Sequence, residues 1–104
     1  MFNYTRYCDI NEFRTWLTAQ TGEDKVNVLY PESCVMARYA RECGAEPHVG
    51  CDTNSLYIYA YGRDSERHYP MPAFGTKLQM WLFGLPGCWF SWPEVQAAFA
   101  EVLP

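Results

Sequence analysis

The sequence predicts an α+β fold: a small antiparallel sheet of about three to four strands packed with about four helices, in the order α-β-α-β-β-β-α-α. Three observations lead there. Residues 9–22 and 91–103 each begin with a capping signal and continue with apolar residues at helical spacing. Residues 47–71 hold three short strand-like runs separated by turn-forming residues. No repeat, low-complexity tract or linker interrupts the 104 residues, so the chain reads as one domain, 1–104.

In "DINEFRTWLTAQTG" Asp9 is the N-cap, with Glu12 at capping-box spacing. Ile10, Phe13 and Leu17 share a face with Trp16 beside them, and Gly22 supplies a stop. "KVNVLY", 25–30, alternates as a strand and Pro31 breaks it. Residues 32–43 form the second helix, capped by Ser33 and ended by Gly44, with Met36, Ala40 and Cys43 on one face. "PHVGC" (47–51) and "LYIYAY" (56–61) are strands joined by "DTNS". In the second, Leu56, Ile58 and Ala60 point one way and Tyr57, Tyr59 and Tyr61 the other. "RHYPM" (67–71) is a third strand that Pro70 confines to an edge or ends. "TKLQMWLF" (76–83) is a helix capped by Thr76 and stopped at Gly84, burying Leu78, Trp81 and Leu82. The last helix opens with Ser91, Pro93 and Glu94 and carries the stripe Trp92, Val95, Phe99 and Val102.

Composition narrows the function classes. Hydrophobic residues are 49% and charged residues 19%, which is a globular balance. The net charge is −4 with only 8 Lys and Arg, and no basic stripe is visible, so tight binding of double-stranded DNA is not expected. With four Trp and eight Tyr in so small a chain, some rings must reach the surface, where they suit protein contacts. Residues 80–92 are the most apolar stretch, but they are too short for a membrane span and are broken by Gly84, Pro86 and Gly87.

The five cysteines, Cys8, Cys34, Cys43, Cys51 and Cys88, include no C-x-x-C, and the first residues do not read as a secretory signal. The expectation is five reduced thiols in a cytoplasmic protein. Cys34 stands where a helix begins, a position that favours the thiolate. A cysteine hydrolase or transferase would pair it with His48 or His68, oriented by Asp52 or Asn54. "CVMARYARECGAEPHVG" locally resembles the transglutaminase-like pattern of a helix-capping cysteine, an Ala-rich helix, a Gly and a strand. That family next needs a histidine before its apolar strand, and "NSLYIYAY" has none. Cys43, His48 and Cys51, with Cys34, have a zinc-like ligand set but lack a close cysteine pair. The favoured reading is that these cysteines pack the interior, with no catalytic residue, metal or cofactor.

Two aromatic groups remain, the row Tyr57, Tyr59, Tyr61 and the loop "FGLPGCWFSW" with Trp89 and Phe90. A stiff loop bearing large rings has the character of a binding hot spot. In size, acidity and overall look the chain resembles accessory proteins of phages and mobile elements of the anti-CRISPR type. No functional residue transfers from that resemblance. It implies a non-enzymatic inhibitor that binds a host defence complex, meeting a basic, nucleic-acid-binding surface. Its acidic contacts would include Glu42, Glu46, Asp64 and Glu66, with Glu23, Asp24 and Glu32 as further candidates. Homodimerisation through the C-terminal aromatics is the other non-enzymatic expectation.

Overall fold

Side-chain caps set the first two helices. Asn3 accepts the Arg6 N–H, opening α1 (Tyr4–Tyr7), and Asp9 accepts those of Asn11 and Glu12, opening α2 (Ile10–Thr18). The computed structural model describes residues 1–46, 48–59 and 66–102. Asp9 caps as the sequence predicts, but Glu12 does not reach back to it: the Asp9 N–H goes to the Arg6 carbonyl, and Glu12 lies 3.6 Å from the Arg6 guanidinium.

The protein is α+β, with two small antiparallel sheets among its helices. Strand β1 is only Val26–Asn27 and pairs with β5, Trp89–Phe90, in the register Val26↔Phe90. The expected strand to Tyr30 is cut short because Asn27 Oδ1 accepts the Leu29 N–H at 2.8 Å, an Asx turn that swings the chain away. The second sheet has the order β2 (His48–Cys51), β3 (Ser55–Tyr59), β4 (Arg67–Pro70). The predicted elements appear in the predicted order, with α1 and β5 in addition and the strands divided between two sheets.

Between the sheets' strands runs α3 (Val35–Glu42), which buries Val35, Met36, Ala37, Tyr39 and Ala40. Its N-cap is Cys34, one residue beyond the expected Ser33, and no side chain caps it. Gly44, at φ +98°, closes the other end while the Ala45 N–H reaches the Ala40 carbonyl. Helix α4 (Ala73–Gly84) starts directly after Pro72. Thr76 is therefore inside the helix and not its cap; its hydroxyl donates to the Thr53 carbonyl at 2.6 Å. In α5 (Trp92–Val102) the capping box forms as the sequence predicts: Ser91 N–H donates to Glu94 Oε1 at 3.0 Å, and Glu94 N–H to Ser91 Oγ at 3.3 Å. The Ser91 backbone and hydroxyl bonds hold the Glu94 carboxyl below its ordinary pKa.

The core joins α2, α3, α4 and α5 around Phe13, while Val49, Cys51 and Leu56 seal the inner side of the larger sheet. Trp92 is buried and its Nε1 donates to Asp24, which also pairs with Arg38. Those two partners, Arg38 first, lower the Asp24 pKa, so this carboxylate serves the fold.

The cysteines require a correction. Cys34 and Cys51 are joined as a disulfide across 17 residues of sequence, so the expected five reduced thiols are not what the structure holds. Their Cα atoms are 7.3 Å apart, wider than the usual span of about 4.4–6.8 Å. Cys8, Cys43 and Cys88 are free. Alkylation of protein denatured without reductant should consume three thiols per chain. A count of five on freshly purified protein would contradict the bridge.

Candidate functional site

Strand pairing puts the two histidines and two of the tyrosines on the outer side of the three-stranded sheet. His48 lies opposite Tyr59, and Tyr57 opposite His68. The paired rings sit at 5.3 Å and 5.9 Å between centroids. Tyr57 lies over Gly50, where a Cβ would collide with its ring. Gly50 therefore allows the tyrosine to fold down onto the sheet instead of standing away from it. Tyr57 and Tyr59 are half-buried, and the inward partner of the row, Leu56, is fully buried. Ala60, Tyr61 and Asp64 lie outside the described residues.

A turn distant in sequence completes this surface. The Asx turn at Asn27 carries the chain through Tyr30, Pro31, Glu32 and Ser33, which with Tyr57, Tyr59 and Glu66 enclose a cavity of about 510 Å³. Its walls bring three tyrosines and two carboxylates together. The Tyr59 hydroxyl donates to Glu32 Oε1 at 3.3 Å, tying the turn to the sheet. Glu66 lies 3.2 Å from His68 Nε2. Burial, then the negative charge of Asp52, Glu66 and Glu32 with Tyr59 nearby, raises the Tyr57 phenol above its ordinary pKa. Arg41 and Arg38 are directed to the backbone carbonyls of Glu32 and Ser33, and no Lys or Arg lines the cavity among the described residues.

The same turn borders a second surface. Leu29, Pro31 and Phe83 stand around a smaller, mainly apolar cavity of about 240 Å³ with the Cys34–Cys51 pair in its wall. Leu29 is 62% exposed and Phe83 50%, and earlier on α4 Met80 is 61% and Trp81 43% exposed. Trp81 was expected in the buried stripe with Leu78 and Leu82. It instead faces outward, and the inner positions of α4 are Phe74, Leu78, Gln79 and Leu82. Trp89 and Phe90 divide: Phe90 is buried against the core, and Trp89 is 54% exposed.

Thus Tyr57, Tyr59 and Glu66 come together, joined by Tyr30 and Glu32. Glu42 and Glu46 do not join them. Glu42 lies 3.6 Å from Arg6, and Glu46 flanks a separate hollow with Phe2 and Arg67. Cys34 does not meet a histidine: it bonds Cys51 on the inner side of the sheet, whereas His48 alternates to the outer side. Among the described residues no group of three or more His, Cys, Asp or Glu is placed to hold a metal ion. No described helix is long and apolar enough to cross a membrane. Comparison of the chain with known protein families, with curated proteins and with solved structures finds no match.

Tyr30, Leu29 and Met80 carry no signal of exposure in the sequence, and the spacing places Trp81 inside. A run of "LYPES" after a strand carries no periodicity. Helix α4 is apolar on nearly every side, so spacing alone does not reveal which side is left open.

Proposed function

We propose that the chain is a non-enzymatic protein-binding module. The observation that carries this reading is the set of large apolar side chains that α4 leaves exposed: Met80 and Trp81 share one hollow, and Phe83 shares another with Leu29. Large exposed apolar side chains gathered on one helix mark an interaction site. Over Pro31 the hollow at Leu29 and Phe83 passes directly into the tyrosine and glutamate cavity, so an apolar site lies beside an acidic one. A partner that fits presents an apolar residue next to a basic one. With the net charge of −4, a nucleic-acid-binding protein is the target that supports the inhibitor reading, such as a host defence complex in the cytoplasm.

The test is capture from host extract on the immobilised chain, followed by competition. The expected result is a nucleic-acid-binding protein that nucleic acid displaces. Trp81→Ala and Phe83→Ala should each weaken its binding by about 2 kcal/mol, roughly thirty-fold, with melting little changed. A captured protein indifferent to both substitutions, or to nucleic acid, would overturn the reading. The side of α4 carries few charges, which favours self-association as the second reading. A dimer in solution that Trp81→Ala dissociates would assign the face to a second copy.

A further inference from the structure

We propose that the cavity between the Tyr30–Ser33 turn and the outer side of the sheet is a binding site for a guanidinium group, the side chain of an arginine on a partner protein. This deepens the reading above and rests on it only for where the arginine comes from.

The wall chemistry selects a cation. Three tyrosines, Tyr30, Tyr57 and Tyr59, line one hollow, and Glu32 and Glu66 bring two carboxylates. Each carboxylate has acceptor capacity beyond the one contact it makes among the described residues, to Tyr59 or to His68. The Arg38 and Arg41 guanidinium groups bond carbonyls of the same turn and do not fill the hollow.

Shape selects among cations. A cavity of about 510 Å³ is larger than an ammonium group needs, and tyrosines and carboxylates line it together. A guanidinium is planar, stacks on an aromatic face and forks to a carboxylate in its own plane. It is also less strongly hydrated than an ammonium, so it enters a half-buried site at lower cost. Tyr59 is braced by Glu32, and Tyr57 is seated on Gly50, so two of the rings are held in place before a ligand arrives.

The experiment is an NMR titration of the full chain, following the ring signals of Tyr30, Tyr57 and Tyr59, with N-acetyl-arginine methylamide as the probe. Saturable shifts of these three rings are expected at millimolar probe. The citrulline analogue, which has the same shape without the charge, and the lysine analogue should each bind about tenfold more weakly or worse. Glu32→Gln with Glu66→Gln should weaken the arginine probe by a similar factor while the remaining spectrum keeps its native dispersion. No saturable shift, or equal binding of citrulline or lysine, would overturn the assignment. Because the probe does not touch α4, its failure beside a partner lost in Phe83→Ala condemns the cavity and leaves the docking face standing. Arginine binding with no partner lost does the reverse.

Discussion

Replacing Phe13 by alanine should lower the unfolding free energy by about 3–5 kcal/mol, among the largest losses available to a single substitution in this chain. The ring is fully buried, with neighbouring ring centroids at 5.8 Å (Trp16), 5.0 Å (Tyr39), 5.0 Å (Phe74) and 5.1 Å (Phe99). Trp16 shares α2 with it, while the other three come from α3, α4 and α5. The void would thus be bounded by rigid rings on separate elements, which collapse poorly around missing atoms. Domains of this size have a total stability of about 5–15 kcal/mol, so the variant should stand at the edge of folding. Urea unfolding measures it: the midpoint should fall with the slope unchanged. A loss under about 1 kcal/mol would mean that the four helices do not meet at this residue.

Phe90→Ala should cost a similar amount, about 3–5 kcal/mol, and Trp89→Ala under about 1 kcal/mol, although the two are adjacent and tryptophan is the larger. The reason is the pairing of β5 with β1. A strand sends successive side chains to opposite sides, and the register Val26↔Phe90 turns Phe90 toward the interior. Trp89, opposite Asn27, is turned out and remains 54% exposed. The comparison is internally controlled, since both substitutions fall on the same two-residue strand. Equal losses, or the reverse ranking, would show that the register is shifted by one.

How much of this was legible depended on whether a feature was local. Helix α5 announces itself because Ser91, Pro93 and Glu94 sit within one turn, and the bonds they form involve no distant residue. That Tyr57 and Tyr59 share a side was legible for the same reason, since alternation along β3 is a property of neighbours. The cavity was not. Tyr30 and Glu32 reach Tyr57 and Tyr59 only because Asn27 ends β1 early, and an Asx turn and a short strand look the same in sequence. The cysteine bridge was hidden in another way, because spacing does not encode connectivity. The side of α4 left open was illegible because the helix is apolar almost all round. α1 leaves no mark in the sequence because a four-residue helix has too few positions for any period to show.

The β1–β5 pair also has a kinetic meaning. Val26 waits for Phe90, and in between lie α3, the larger sheet and α4. On a ribosome, the early helix and β1 emerge long before the strand that must cover them, and closing so wide a loop carries an entropy cost that local contacts do not repay. Truncations that stop short of Cys88 should therefore leave the first third of the chain unsettled as well as removing the last helix. The segment that locks the beginning is made only after α3, the whole larger sheet and α4 have been made.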